Sequence, residues 1–325
     1  MNGNLPAAIT DGQALRCARR HRKLPTVRAL LVVFALLLSA ASPGMAQGTY
    51  HLALLDTAVL ASHRVAESSG VVASALAPGV YWTHNDSGDR PYLYATDSTG
   101  RDLGAVRVAG AGAYDWEDVT AGSCLVVPGR CLYVGDMGDN RRRRRSFVVY
   151  RLREPVPPRG PADSLRVVPL LDSIVLAYPD GAHDAEALAV TRAGELLIIT
   201  KDRAGPAVLF RSSPARGSAP RLLRRIGAMA MRTGLLTGRL ATGAALAPDD
   251  ALLAVRTNVS IHLFRLAGDS IPVPLTGASG MTIPVVESQG EAVAFDGPDR
   301  LVLTSEHGFS NHSTLTRLRL VRTGP

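Results

Sequence analysis

Asp136, Asp139 and Asn140 fall together in the stretch DMGDN. Oxygen ligands spaced around a tight glycine turn suit a hard divalent cation such as Ca²⁺, which takes six to eight oxygens from Asp, Glu, Asn and backbone carbonyls. The same residue types are the ordinary material of β-turns, so the stretch reads both ways. Glutamate keeps a wider rhythm, with Glu117, Glu186 and Glu291 each opening a short apolar phrase (WEDVTAG, AEALAV, GEAVAF). A carboxylate repeated in this way can move protons or hold an ion. It can equally brace one repeat against the next by accepting backbone N–H bonds. Lys201 is the only lysine beyond residue 46 in a chain that otherwise uses arginine for its basic positions. Its compact ammonium suits a site facing carboxylates or an anion.

These residues need a scaffold that brings them together, and the rest of the chain predicts one. Beyond residue 46 there is almost no helical periodicity. Short β-prone runs such as GVYWTHND, ELLIITKD, ALLAVRTN and RLVLTSEH alternate with Gly, Pro, Asp and Asn turns. One phrase recurs: a small or acidic residue, an apolar run, a turn, a second apolar run and a polar pair. Its registered positions are Ser69, Glu117, Glu186, Ala244 and Glu291, separated by 48, 69, 58 and 47 residues. Repeats of about 40–50 residues, each with about four strands, predict an all-β fold built as a single β-propeller. Five blades are expected, and the two longer spacings leave room for a sixth. The last repeat has space for only three strands, so the unpaired run TYHLALLDTAV is expected to close its blade and remove a free edge.

In such a ring the polar ends of the first two strands of every blade converge on one funnel. First strands supply Glu117, Asp118, Glu186 and Glu291, preceded by Asp115 and Asp184; second strands supply His84, Asn85, Asp86, Asp136, Asp139, Asn140, Lys201, Asp202, Arg256, Thr257, Glu306 and His307. So many carboxylates in one small volume repel each other, and a bound cation relieves this. We therefore expect calcium or another divalent cation held by Asp136, Asp139, Asn140 and Asp184. Glu117, Glu186, Glu291 and Lys201 are the expected catalytic groups, and His84, Asn85, Arg256 and Glu306 the expected substrate-binding ones.

Residues 1–46 read as a secretory signal: a basic segment, the apolar run ALLVVFALLLSAA and the small residues Gly44 and Ala46 before Gln47. Residues 47–325 are expected to form the propeller domain. The signal carries six Lys/Arg against one acid, so its removal lowers the formal net charge from +8 to +3. Arg141 to Arg145 supply five of the remaining positive charges, and without dispersed basic patches nucleic acid is not an expected partner. The apolar run is too short for stable membrane insertion. A secreted or periplasmic monomer is the expectation. Cys124 and Cys131 flank the turn signal Pro128-Gly129 and are expected to join as a disulfide in an oxidising compartment.

The stretches THNDSGDRPYLYATDSTG, YDWEDVTAG, CLYVGDMGDN, DAEALAV with LLIITKD, and GEAVAFDGPDRLVLTSEH resemble a group of bacterial secreted propeller proteins. More distantly the chain resembles the calcium-dependent β-propeller phytases and the esterase-like phytase-related domain, with the general logic of gluconolactonase-type propellers. The phytase resemblance implies calcium on funnel carboxylates, with Asp136, Asp139, Glu186 and Glu291 foremost, acting on a phosphate ester steadied by Lys201 and Arg256. Ser69 and Ala244 depart from the repeated glutamate. Three readings are open: a metal-dependent hydrolase of phosphate esters, carboxylic esters or lactones; a non-catalytic propeller binding a glycan, a peptide or an envelope protein; and a structural calcium site with the function elsewhere.

Overall fold

The computed structural model describes residues 49–160, 166–203, 205–214, 216, 219–229, 231, 239–266, 280–287, 289–307 and 312–323. The expected signal, residues 1–46, lies outside them. The chain opens with β1 (Thr49–Val59). Blade 1 follows as β2 (Ser68–Ala73), β3 (Val80–Asn85), β4 (Tyr92–Asp97) and β5 (Asp102–Ala109). Blade 2 has β6 (Trp116–Ser123), β7 (Arg130–Asp136) and β8 (Phe147–Arg153), then β9 (Arg166–Pro169) and β10 (Asp172–Ala177). Blade 3 has β11 (Ala185–Val190), β12 (Leu196–Thr200), β13 (Ala207–Arg211), β14 (Arg221–Leu222) and β15 (Arg224–Met229). Blade 4 has β16 (Ala241–Leu246), β17 (Leu252–Thr257), β18 (Ser260–Arg265) and β19 (Gly280–Pro284). Blade 5 has β20 (Gly290–Phe295), β21 (Arg300–Ser305) and β22 (Thr314–Thr323).

Five sheets result, and β1 completes the fifth by pairing antiparallel with β22, Thr49 opposite Thr323 through Val59 opposite Thr314. The first strands β2, β6, β11, β16 and β20 contact one another in cyclic order, which makes the arrangement a five-bladed propeller. Among the described residues there is no sixth blade in the long spacings. Their extra length goes into β9, which adds parallel to β5 of blade 1, and β14, which adds parallel to β10 of blade 2. Each of these short strands leaves its own blade to extend the preceding one, lacing blades 1, 2 and 3 together at their outer edges.

The apolar core is divided into five wedges, one at each blade junction. Trp82, Leu93, Trp116 and Val134 fill the wedge between blades 1 and 2; Tyr133, Val149, Ile198 and Phe210 fill the next. Corresponding clusters occupy the other three junctions. A middle strand is therefore buried on both faces, which is why β12 reads LLIIT without alternation and has all five residues buried.

Polar bonds tie neighbouring blades together around the axis. Ser69 Oγ donates to Glu117 O (2.7 Å), Thr242 Oγ1 to Gly290 O (3.2 Å) and Thr304 Oγ1 to Ser68 O (3.4 Å). Fully buried Asp118 accepts N–H bonds from Val119 (2.8 Å), Leu188 (2.9 Å) and Ala244 (3.1 Å), pinning three blades with one carboxylate. Burial pushes its pKa well up, against the pull of those three donors. At the hairpin between β6 and β7, Gly129 adopts a positive φ of 111°, and Cys124 and Cys131 form the expected disulfide. Among the described residues no helix is long and apolar enough to cross a membrane.

Candidate functional site

The funnel is built from one backbone device repeated five times. Every first strand has a register shift at its N-terminal end, leaving one residue without a ladder partner: Ser69, Glu117, Glu186, Thr242 and Glu291. A β-bulge of this kind re-aims a side chain, and all five are buried. The fourth position of the repeat is therefore Thr242 rather than Ala244. Ala244 lies two residues further along β16, where its N–H meets Asp118.

Two residues before each bulge stand Glu67, Asp115, Asp184, Leu240 and Gln289. Four of their carbonyls accept the N–H of the residue leaving the second strand: Asp86 to Glu67 (3.1 Å), Met137 to Asp115 (3.1 Å), Lys201 to Asp184 (2.9 Å) and Glu306 to Gln289 (3.1 Å). These bonds bring three sequence positions per blade to the same mouth, so residues more than two hundred apart become neighbours.

Two acidic triads form there and share a member. One oxygen each of Asp86, Asp115 and Glu117 lie within 4.8 Å of one another, and so do those of Glu117, Asp184 and Glu186. Glu117 is 3% exposed, and among the described residues nothing donates a hydrogen bond to its carboxylate. Gly138 makes the crowding sterically feasible: a Cβ there would stand 2.0 Å from Glu117 Oε1 and 2.4 Å from Asp115 Oδ2. Lys201 Nζ donates to Glu186 Oε2. On the other side of the funnel Gln289 Nε2 donates to Glu291 Oε1 (3.0 Å) and to Glu306 Oε2, and Asn258 Nδ2 reaches Glu291 Oε1 at 3.4 Å.

Burial and mutual repulsion hold these carboxyls above their ordinary range. Burial, with Asp86 and Asp184 nearby, raises Asp115 to about 6; burial raises Glu186 to about 7 even against Lys201. Burial and Glu306 raise Glu291 to about 8, and burial with Asp86 and Glu67 raises Glu306 to about 7. Glu117 lies well above its usual value through burial, Glu186, Asp86 and Asp115. Burial would lower Lys201, but Glu186, Glu291 and Glu117 outweigh it and raise the ammonium pKa. Each of these carboxyls is thereby pushed toward its protonated form.

Of the four expected metal ligands, only Asp184 belongs to a triad. Asp136 is committed elsewhere: its carboxylate accepts the N–H of Tyr114 (3.1 Å) and Asp115 (3.2 Å) and pairs with Arg144 Nη1 (3.0 Å). Asp139 accepts Arg144 N (2.6 Å) and gives its own N–H to Asp184 Oδ1 (2.9 Å), while Asn140 is exposed on the turn. The DMGDN stretch thus braces Asp115 and Asp184 from behind. Part of the arginine run belongs to this brace, since Arg144 also donates to Gly138 O (3.0 Å) and Arg142 pairs with Asp202 (2.8 Å). Arg141, Arg143 and Arg145 are exposed.

The expected substrate-binding residues divide similarly. His84 is fully buried, edge-on to Trp116 and tight against Gly70, where a Cβ would lie 2.2 Å from Nε2; burial pushes its pKa down to about 4. Asn85 spends its amide on the loop below, accepting from Ala66 (2.9 Å) and Glu67 (3.1 Å) and donating to Arg64 O and Asp89, both at 2.7 Å. Arg256 is fully buried beside Gly290 and ion-paired with Glu287. Glu306 alone of the four stands among the funnel carboxylates. Glu117, Glu186, Glu291 and Lys201 all meet there. Asp86 and Asp115 supply ligand atoms that the sequence placed in the funnel without assigning them to an ion, and Gln289, Asn258 and Gly138 were not singled out. Gln289 occupies the same repeat position as Asp115 and Asp184, a signal already present two residues before the registered Glu291.

Among solved structures, the chain is similar to the PQQ-bound aldose sugar dehydrogenase of Streptomyces coelicolor, with 11% identity, 84% of this chain and 99% of that chain covered, and a TM-score of 0.50. A calcium-binding protein, regucalcin, from Agrobacterium tumefaciens also matches, with 12% identity, 83% and 96% covered, and a TM-score of 0.43. The fold is a β-propeller. At such identity the dehydrogenase supports the architecture alone. No protein-family model and no curated protein matches the sequence. The phytase likeness rests on the sequence stretches quoted above.

Proposed function

We propose that the funnel binds a hard divalent cation, calcium foremost, and hydrolyses a small ester, with carboxylic esters, lactones and phosphate esters as the substrate class. The observation that carries this reading is Glu117, a buried carboxylate with no donor among the described residues at the intersection of two triads. The donor set is oxygen only, which selects hard cations over thiolate- or imidazole-seeking metals. The only histidine the sequence placed on blade 1's second strand, His84, is buried in the layer below. A divalent ion held by Asp86, Asp115 and Glu117 would supply Lewis-acid polarisation of a carbonyl or phosphoryl oxygen. Asp86 and Asp115 are partly exposed, so the triad opens to substrate.

The chain's own groups provide proton transfer. Glu291, raised to about 8, keeps its proton at neutral pH and is suited to donate it to a leaving group; Glu306, raised to about 7, is poised to accept one. Gln289 holds the two in register. We further propose that residues 1–46 direct export; the Cys124–Cys131 disulfide is compatible with an oxidising compartment.

The test is a panel of p-nitrophenyl esters, aliphatic lactones and p-nitrophenyl phosphate, run on chelated and on calcium-loaded protein. Turnover should require the ion and fall by about 10²-fold or more in Glu291→Gln. Absence of turnover across the panel by loaded, folded protein refutes hydrolysis and leaves the ligand-binding alternative.

A further inference from the structure

The two triads are chemically unequal although they share Glu117. In the first, the carboxylates of Asp115 and Glu117 take no hydrogen bond from any described residue, and Asp86 accepts only Ser87 N–H (2.6 Å). In the second, Glu186 already holds the Lys201 ammonium and Asp184 Oδ1 already accepts Asp139 N–H (2.9 Å). The Lys201 side chain is 15% exposed, and its charge acts on Glu186, Glu291 and Glu117 together. One cation is thus hydrogen-bonded within the second triad, while the first feels Lys201 and Arg144 only through space.

We infer that Lys201 is a tethered substitute for a second metal ion, so that the funnel takes one divalent cation, in the Asp86–Asp115–Glu117 triad, and would take a second at Glu117–Asp184–Glu186 if the ammonium were removed. This rests on the cation-binding reading of the same funnel. The choice of lysine has a physical reason. An ammonium is a compact point charge that can stand where a coordinated ion would stand, whereas a planar guanidinium spreads its charge over a wider fork. That distinguishes Lys201 from the arginines used everywhere else beyond residue 46. The tether matters as well, because a covalently attached cation is present at high effective concentration and is not lost on dilution. Lys201 N–H is anchored on Asp184 O (2.9 Å), so its backbone and its ammonium engage residues of the same triad.

The experiment counts ions instead of turnover. Wild type, Lys201→Met, Lys201→Arg, Asp86→Asn and Asp184→Asn are dialysed to equilibrium against calcium and measured by elemental analysis and titration calorimetry, with circular dichroism to verify folding. One ion per chain is expected in wild type and in Lys201→Arg, and two in Lys201→Met. Asp86→Asn should lose the wild-type ion, with affinity down at least 10-fold, while Asp184→Asn should keep it. Asp184→Asn added to Lys201→Met should return the count from two to one. If Lys201→Met does not fold, the contrast between Asp86→Asn and Asp184→Asn in the wild-type background still decides. Two ions in wild type, one in folded Lys201→Met, or equal loss of affinity in the two aspartate variants would each overturn the inference and leave cation binding standing. No ion in wild type refutes both readings.

Discussion

Gly138→Ala tests the funnel without replacing any carboxylate. The backbone at Gly138 is not in the positive-φ region, so alanine is sterically permitted by the main chain, and only the space in front of it is contested. The added methyl would stand 2.0 Å from Glu117 Oε1 and 2.4 Å from Asp115 Oδ2, where real Cβ contacts essentially never fall below 3.0 Å. Glu117 must therefore retreat by about 1 Å and Asp115 by more than about half an ångström. Calcium–oxygen bonds span only about 2.3–2.6 Å, so displacements of this size take two of three protein ligands out of range. Disturbing even an outer-shell partner of a ligand costs about 10- to 100-fold in affinity. We expect calcium to bind at least 100-fold more weakly, about 2.8 kcal/mol at 1.4 kcal/mol per decade. The ion-free fold should change little, since Gly→Ala restricts the unfolded chain by about 0.4–1 kcal/mol in favour of the native state. Calorimetric titration of calcium, with thermal melts in chelator, gives both quantities. Wild-type calcium affinity in a folded Gly138→Ala protein would show that Glu117 and Asp115 are not the ligands.

Two further predictions concern stability. Glu186 and Glu291 move from an ordinary 4.5 to about 7 and about 8 in the fold, so between those values the native chain keeps protons that the unfolded chain has lost. At these two groups the unfolded state then binds fewer protons, and their contribution falls as pH rises from about 4.5 to about 8, by on the order of 3 kcal/mol for Glu186 alone; buried His84, lowered to about 4, opposes this only up to about 6.5. Chelated protein should melt at a lower temperature at pH 8.5 than at pH 6.5, above the range where His84 titrates, and calcium should raise the melting temperature more at pH 8.5; a flat profile in chelator would contradict the protonated funnel. Asp118→Ala strips the acceptor from three buried N–H groups on β6, β11 and β16. At about 1–3 kcal/mol for each unsatisfied donor, urea denaturation should show a loss above about 3 kcal/mol, and a smaller loss would mean that the ring is not pinned there.

The architecture was readable because propeller blades repeat their turn chemistry and their apolar runs, and because TYHLALLDTAV had no partner other than the short last repeat. The convergence of Glu117, Glu186, Glu291 and Lys201 follows from that periodicity. What escaped detection was decided by contacts that no local pattern records. The fourth repeat, TGAALAP, offers several small residues in a row, and the bulge that selects Thr242 over Ala244 leaves no mark in composition. DMGDN has the residue types of a ligand loop, but Arg144 reaches back to neutralise Asp136 and Asp139 is consumed by backbone, so the adjoining Asp115 and Asp184 face the funnel instead. His84 looked like a funnel group until Gly70 and Trp116 enclosed it. The lacing strands β9 and β14 are too short, and pair too far from their own blades, to stand out as apolar runs.

The pairing of β1 with β22 sets a condition on how the molecule is made. β1, the first strand of the ring, must wait for β22, its last, before the toroid can shut, so a partly made ring can assemble four blades and still present an open arc with two raw edges. Completion therefore comes only after β22 has been made. A chain cut short anywhere before β22 would be left with its opening strand unmatched, ready to recruit a neighbour in place of its own tail.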